Sequence, residues 1–190
     1  HVPVRLGSQG IDGIYVKYMP DGTPNSLIVS EAKYGSSSLK MTKTGIQLGK
    51  TWSNVRLEKI GNEYLQIAKT INNKNMVVGR IPQQGETHRL QVNLPNGKAA
   101  VCWRTGSNDP WKFAGPERLL ESAGIQYQKM STFFNQAVRG DIPYERILYR
   151  IKIEGNILNV TVKDAFQIDK VGSEIFLPKK FDFTYMLRPS

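Results

Sequence analysis

The sequence is poor in the residues that several kinds of catalytic site require. Cys102 is its only cysteine, which excludes an internal disulfide and a zinc site built from cysteines, and we expect an inert core thiol. The two histidines, His1 and His88, are too few for a paired-histidine ribonuclease or a histidine-metal nuclease. The sequence contains no Walker-type phosphate loop and no dinucleotide-type glycine run, so nucleotide-driven activity is unsupported.

Long apolar runs are also missing. No run approaches the roughly 20 residues that a membrane-spanning helix needs, and no signal peptide is recognisable, so we expect a soluble protein without membrane insertion. The first residue is His1 and not Met, from which we expect a piece of a longer chain. We predict a core over residues 1–115 and a C-terminal extension over 116–190, packed together as one compact unit.

Acidic residues are scarce relative to basic ones. The chain has 26 Lys and Arg against 16 Asp and Glu, a net charge of +10 at pH 7. This excess favours a polyanionic partner, and both nucleic acid and an anionic membrane surface satisfy that condition. The positive charge is concentrated between Lys33 and Arg80. The alternative interpretation of these residues is an ordinary solvated surface.

Two apolar runs near the start of the chain predict a β-hairpin. Gly10–Met19 is rich in Ile, Tyr and Val, and Leu27–Lys33 follows it after a segment of turn-forming residues. Pairing centred on that turn would place Asp12 near Lys33. Because side chains alternate along a strand, Glu31 and Lys33 should point to the same face. The hairpin therefore predicts that three charged groups share one small patch.

The rest of the chain predicts further helices and strands. Together the patterns indicate an α/β protein with a mixed sheet flanked by helices, followed by an α+β extension. We expect the sheet that the hairpin begins to continue in the middle of the chain. The predicted elements are a helix within Leu39–Ile60, strands over Met76–Ile81, Arg89–Leu94 and Lys98–Arg104 with a turn at Asn96-Gly97, helices from Pro116 and over Thr132–Val138, and strands within Arg150–Val162 and Glu174–Leu187.

Asp12, Glu31 and Lys33 are the groups that phosphodiester hydrolysis would need. The reaction requires a neutralised phosphate, an activated water and a stabilised leaving oxygen, and a divalent metal can serve all three needs. Mg²⁺ prefers oxygen ligands and retains waters, so Asp12, Glu31 and the backbone carbonyl of Ala32 would suffice to hold it. We expect Mg²⁺, with Mn²⁺ and Zn²⁺ as alternatives. Lys33 would orient the attacking water or stabilise charge on the phosphate.

Glu31 and Lys33 also fit a simpler interpretation, that of an ion pair at the solvent-exposed end of a strand. The residues before them favour the functional interpretation. Leu27, Ile28 and Val29 are apolar on both faces, which predicts a buried strand that delivers charge at its end. Charged residues at the end of a buried strand are more typical of a functional site than of an ordinary solvent-exposed surface.

Three short stretches around these charges form a longer motif: Gly-Ile-Asp-Gly-Ile at positions 10–14, Glu-Ala-Lys-Tyr-Gly at 31–35 and Thr-Lys-Thr-Gly-Ile-Gln at 42–47, with Trp52 downstream. The first two resemble the PD-(D/E)XK nuclease superfamily. The third resembles the helix after the motif in restriction-endonuclease-like toxin domains of bacterial polymorphic toxins. These include toxins of contact-dependent inhibition, Rhs and type VI secretion systems. The resemblance covers about residues 7–57.

The resemblance implies a restriction-endonuclease-like fold and a metal-dependent endonuclease. Asp12 and Glu31 would bind the metal, and Lys33 would be the catalytic lysine. Gln47 would lie on the active-site helix and position substrate or water, the alternative being an exposed helix position. The family usually has a further helix before the aspartate, and only residues 1–11 precede Asp12, so that helix would lie upstream. Ile11 occupies a position where the family often has proline.

The resemblance further implies an antibacterial effector. It would be secreted or delivered from the producing bacterium, act in the cytoplasm of a target cell, and be held off in its producer by an immunity protein. That partner should be acidic, because it must cover a surface with a net charge of +10. DNA is the expected substrate, without strong sequence specificity. The alternatives are a ribonuclease with the same site, for example one that cleaves transfer RNA, and a non-catalytic nucleic-acid-binding module.

Two further groups of residues suit contacts with nucleic acid. Aromatic and basic residues alternate around Trp103, Trp111 and Phe113, an arrangement that can stack bases, although core packing is the favoured interpretation of these rings. A membrane-surface helix over Leu39–Ile60 is disfavoured, because that segment has few large apolar residues. Basic residues expected to contact phosphates without reading sequence, or else to form a solvated face, are Lys40, Lys43, Lys50, Arg56 and Lys59.

Overall fold

A computed structural model gives the fold, and the structure describes residues 11–21, 23–72, 77–78, 88–94 and 96–186. Parts of three predicted strands lie outside the described residues, namely Gly10, Met76, residues 79–81 and Leu187. The strands are β1 Gly13–Tyr18, β2 Pro24–Tyr34, β3 Met41–Thr42, β4 Gly45–Ile46, β5 Val77–Val78, β6 His88–Asn93, β7 Ala99–Arg104, β8 Lys112–Phe113, β9 Tyr144–Glu154, β10 Ile157–Asp164 and β11 Lys179–Met186. The helices are α1 Lys50–Ile71, α2 Glu117–Arg139 and α3 Ile168–Val171, with a 3-10 turn at Glu174–Phe176.

The larger sheet is five-stranded and mixed, with the order β1-β2-β9-β10-β11. Its β1 and β2 form the predicted antiparallel hairpin, β2 runs parallel to β9, and β9, β10 and β11 are successively antiparallel. The apolar positions that bury this sheet alternate along the strands, as at Val160 and Val162. The prediction of an α/β protein with a mixed sheet is confirmed at this level, and the restriction-endonuclease-like assignment stays a prediction.

The register of the first hairpin differs from the predicted one. Gly13 pairs with Ser30 and Ile14 with Val29, so the expectation that Asp12 lies opposite Lys33 is wrong by two residues. The turn is centred earlier than predicted, because Tyr18 pairs with Pro24 and the Met19 amide donates to the Thr23 carbonyl at 2.8 Å. The Asp12 amide, just before β1, donates to the Ser30 carbonyl at 3.2 Å. The observed register therefore continues toward Glu31 on the neighbouring strand.

The helix predicted within Leu39–Ile60 begins at Lys50 and runs on to Ile71. Residues 39–49 instead form a loop with a short β3–β4 ladder, so the prediction that Gln47 lies on a helix is wrong. The backbone gives the reason. Gly45 has a φ of 106° and Leu48 a φ of 66°, and neither value is compatible with a right-handed helix.

The middle of the chain forms a separate four-stranded sheet with the order β5-β8-β7-β6. The expectation that the first sheet continues there is therefore wrong. The predicted turn at Asn96-Gly97 between β6 and β7 is confirmed, with Gly97 at a φ of 78°. Cys102 on β7 is fully buried, and burial raises the pKa of its thiol to about 11, as suits an inert core cysteine.

Helix α2 is continuous, whereas the sequence suggested two separate helices. Its buried positions recur every three or four residues throughout, so a single apolar face spans the stretch between the two predicted segments. The helix begins at Glu117, one residue after the proline at which the sequence predicted its start. These buried positions are Leu120, Ala123, Tyr127, Ser131, Phe134 and Ala137, all apolar except Ser131.

The chain divides into two compact units. The first comprises residues 1–59 and 135–190 and contains the five-stranded sheet, and the second comprises residues 60–134 and contains the four-stranded sheet. The boundary that we predicted after residue 115 stays a prediction, although β9 to β11 share a sheet with β1 and β2. Within the described part of the chain, no helix is both long and apolar enough to cross a membrane.

Candidate active site

Glu31 is a buried carboxylate on β2, between β1 and β9. Its side chain is only 5% exposed. One carboxylate oxygen, Oε1, accepts from the Lys33 ammonium at 2.7 Å and from the side-chain NH₂ group of Gln47 at 3.4 Å. The other, Oε2, is buried and has no hydrogen-bond partner among the residues that the structure describes. A buried polar atom without a partner is rare in proteins and calls for a functional explanation.

Burial raises the pKa of Glu31 above its ordinary value of 4.5. The hydrogen bond from Lys33 opposes this rise, the negative charge of Asp12 adds to it, and the positive charges of Lys33 and Arg56 lower the pKa again. Burial thus makes the ionised form of Glu31 unfavourable, and the positive charges of Lys33 and Arg56 offset part of that cost. A further cation at the site would stabilise the ionised form.

Asp12 occupies the position just before β1, where it meets the next strand. Its Oδ2 accepts from the Ala32 amide at 2.7 Å. Because the N–H and C=O of one strand residue face the same edge, the Ala32 carbonyl is expected on this edge too. Gly13 permits the close approach of the two strands, since a Cβ there would lie 2.6 Å from Ser30 Oγ. The glycine of the motif therefore has a steric role beside the acid.

Gln47 reaches the site from the loop before α1. Its amide N–H donates to the Lys40 carbonyl at 2.9 Å, and its side-chain oxygen accepts from the Lys40 amide at 2.9 Å. These two bonds fix the carboxamide so that its NH₂ group faces Glu31. The structure thus brings Gln47 to the predicted centre without the predicted helix.

Arg56 is a member of this neighbourhood that the sequence did not assign to it. Its guanidinium lies 3.9 Å from the Trp52 ring centroid and donates to Trp52 O at 3.2 Å and to Thr44 Oγ1 at 3.1 Å. Burial lowers the pKa of Arg56, and the charge of Glu31 opposes that change. The spacing of four residues between Trp52 and Arg56 on a helix was the signal available in the sequence.

The remaining predicted phosphate contacts are spread along the segment after β2. All four side chains are exposed, and the structure does not gather them into the centre around Glu31. They stay candidates for contacts with a polyanion further along its path. They are Lys40 and Lys43 in the loop, Lys50 at the start of α1, and Lys59 on α1.

A buried arginine braces the loop that carries Gln47. Arg146 on β9 donates to the Leu48 carbonyl at 3.0 Å, to Asp169 Oδ2 at 2.8 Å and to the Phe166 carbonyl at 2.7 Å. Asp169 also accepts from the first amide of α1, that of Lys50, at 2.8 Å. The sequence did not predict this network, because its members come from three separate segments.

The donor atoms of the site determine which metal ion it could hold. Asp12 and Glu31 bring two carboxylates to one strand end, and the buried Glu31 Oε2 lacks a partner among the described residues. Two carboxylates with a backbone carbonyl and waters are enough for Mg²⁺. In the described part of the chain, no group of three or more His, Cys, Asp or Glu side chains converges. The residues present therefore fit a hard ion held by few protein ligands.

Comparison with models of known families, with curated proteins and with solved structures gives no match to this chain. The assignment to the PD-(D/E)XK superfamily therefore rests on the motif residues and on the geometry described above, and it stays a proposal.

Proposed function

We propose that the protein is a metal-dependent nuclease with a restriction-endonuclease-like fold that hydrolyses phosphodiester bonds, preferably in DNA. The observation that carries the proposal is a buried, half-satisfied carboxylate, Glu31, beside a second acid and an amine. A structural ion pair would be expected to satisfy both oxygens, because leaving one buried and unpaired is destabilising.

In the proposed site, Asp12, Glu31 and the carbonyl of Ala32 hold the metal, Mg²⁺ in the first instance and Mn²⁺ or Zn²⁺ as alternatives. When bound, such an ion supplies charge neutralisation at the phosphate and a more acidic water. Glu31 is suited to holding it, since its burial leaves the carboxylate short of favourable partners. Asp12 is more exposed and would face the solvent side of the site.

Lys33 would act on the substrate. Its ammonium is 2.7 Å from Glu31 Oε1 and its side chain is only 13% exposed, so it is held in place with limited freedom. A positioned cation of this kind stabilises the charge that develops on the phosphate, an effect worth about 100-fold to 1000-fold in rate for a single donor. Gln47 would orient Glu31 or the water, and Arg56 would contribute positive charge.

The test is cleavage of plasmid DNA and of total RNA by the full chain with Mg²⁺, Mn²⁺ or Zn²⁺, and with a chelator. We expect the Glu31→Gln and Lys33→Ala variants to lose about 100-fold to 1000-fold of the activity. Glu58→Gln, on an exposed glutamate of α1, is the matched control and should cleave like the wild type. Cleavage that survives chelation or both substitutions would refute the proposal. Preference for RNA would identify the ribonuclease alternative, and salt-sensitive binding without cleavage the binding module.

We also propose, on the resemblance alone, an antibacterial effector that acts in the cytoplasm of a target cell and is neutralised by an acidic immunity protein. Expression of the chain inside bacteria should arrest growth, and Glu31→Gln and Lys33→Ala should each relieve the arrest. Toxicity that persists in both variants would count against the nuclease as its cause.

A further inference from the structure

A polar cavity of 610 Å³ lies within the unit formed by residues 60–134, and the proposed cleavage site does not use it. Its volume falls in the range of about 300–1,000 Å³ that is common for ligand sites. The last turn of α1 and the segment from the end of β7 to the start of β8 surround it. Its lining includes Lys69, Thr70, Arg104, Asn108, Asp109 and Trp111.

Arg104 and Trp111 form a flat platform on the cavity wall. The guanidinium carbon lies 4.6 Å from the centroid of the Trp111 ring. Arg104 Nη1 also donates to the Ser107 carbonyl, which fixes the plane of the guanidinium. Its Nε is buried and has no partner within the described ranges. Guanidinium planes and aromatic rings are the surfaces on which proteins stack nucleic-acid bases.

The charge of the cavity suits an anion. Lys69 and Arg104 contribute two positive charges against one from Asp109, and Asp109 Oδ2 already accepts from the Gly106 amide at 2.7 Å. Lys69 is exposed and belongs to the cavity lining. Lys69 also lies in the last turn of α1, where a cation is favoured by the helix dipole.

The neighbouring aromatic residues have a different role. Trp103 and Phe113 are buried, as the core-packing interpretation of the sequence predicted. Trp111, from the same stretch, is only half-buried and lines the cavity. The structure thus separates one ring that can meet a ligand from two that cannot.

We infer that this cavity binds a single-stranded segment of nucleic acid, with one base on the Arg104–Trp111 platform and a phosphate at Lys69. The inference rests on the proposed function for the identity of the polymer and would give the nuclease a binding subsite within the unit formed by residues 60–134. An acidic peptide could satisfy Lys69, but it has no planar base to extend the stack on Trp111.

The test measures fluorescence anisotropy of a labelled oligonucleotide of about twelve nucleotides, as DNA and as RNA, with the full chain and a chelator present. We expect Trp111→Ala to weaken binding about fivefold to a hundredfold and Trp111→Phe to retain most of it. Lys69→Ala should reduce the slope of log Kd against log salt by about 0.7. Lys98→Ala, an exposed lysine of the same unit outside the cavity lining, is the matched control and should change little.

Unchanged thermal unfolding would show that each variant is folded. Binding by Trp111→Ala and Lys69→Ala within twofold of the wild type would overturn the inference. So would binding of poly-glutamate that depends on Lys69 but not on Trp111, which would identify an acidic protein partner instead. Because the metal is chelated, the result is independent of cleavage. If the chain never cleaves but Trp111→Ala binds weakly, the cavity inference stands and the nuclease proposal fails; the opposite pattern rejects only the cavity.

Discussion

Two buried charged residues of the five-stranded sheet differ in how completely they are satisfied. Arg146 is 5% exposed and donates to three acceptors, while Glu31 is 4% exposed and leaves one oxygen unpartnered among the described residues. Both are held by adjacent strands, β9 and β2. Burial is the same in the two cases, so burial alone does not distinguish a structural charge from a functional one.

The two residues differ in whether all of their buried polar atoms have hydrogen-bond partners. A fully satisfied buried network stabilises and orients its surroundings, whereas a half-satisfied one is destabilising unless something else completes it. Arg146 therefore has a structural role, since it holds the loop before α1 in place. For Glu31 we propose that the missing partner of Oε2 comes from outside the chain.

The largest expected effect comes from removing the brace. Arg146→Ala leaves the Leu48 and Phe166 carbonyls without this donor and removes one of the two donors to Asp169, and the free energy of unfolding should fall by about 1.5–3 kcal/mol, the range for a lost hydrogen bond to a charged group. Urea unfolding of the full chain measures it. Arg139→Ala removes an exposed ion pair with Asp141, and it should lower the free energy of unfolding by less than about 1 kcal/mol. Equal effects of the two substitutions would break the comparison.

Metal binding should sharpen the comparison from the other side. Adding Mg²⁺ or Mn²⁺ at about ten to a hundred times its dissociation constant should raise the free energy of unfolding by about 1.4–2.7 kcal/mol, because the ion binds only the folded state. Asp12→Asn and Glu31→Gln should abolish this stabilisation, and Glu58→Gln should preserve it. Stabilisation that remains in both site variants would place the ion elsewhere.

The smallest effect is a dependence on pH. The folded protein holds the Glu31 proton more tightly than the unfolded chain does, because burial raises the pKa above 4.5. Without metal, stability should therefore increase as the pH falls from neutrality toward 4.5. Thermal unfolding at pH 7 and pH 5 measures it, and the Glu31→Gln variant should lack this increase. Hydrogen bonds from Lys17 and Lys180 lower the pKa of Glu145 below 4.5, so protonation of Glu145 reduces stability only at lower pH. The prediction would be contradicted if the wild type and the Glu31→Gln variant lost stability equally between pH 7 and pH 5.

The local part of the site was predictable from the sequence, and the long-range part was not. The hairpin, the shared face of Glu31 and Lys33, and the apolar run before them follow from alternation and turn-forming residues over short distances. The predicted register was wrong because several turn-forming residues follow Tyr18, and they do not show that the turn is centred at Asp21. Gln47 lies outside a helix because its neighbour Leu48 has a positive φ, and the Leu48 carbonyl accepts from Arg146 on a distant strand.

The partner of β2 was unpredictable for the same reason. Local patterns identify a strand but not its neighbour, and β9 follows β2 only after both long helices. Arg146 and Asp169 look like ordinary surface charges in the sequence, since nothing local indicates that they meet. The brace became visible only when the topology brought β9 beside the motif.

The parallel pairing of β2 with β9 joins segments that leave the ribosome far apart in time. Arg150 donates to the carbonyl of Gly35 across 115 residues, an interval of roughly 6–23 seconds at ordinary translation speeds of about 5–20 residues per second. A nascent chain that ends before Tyr144 already carries Asp12, Glu31 and Lys33, yet it lacks β9 and Arg146, and one that ends before Asp169 still lacks a partner of Arg146. Synthesis itself would thus delay the assembly of the surroundings of the proposed site until Asp169 has been translated.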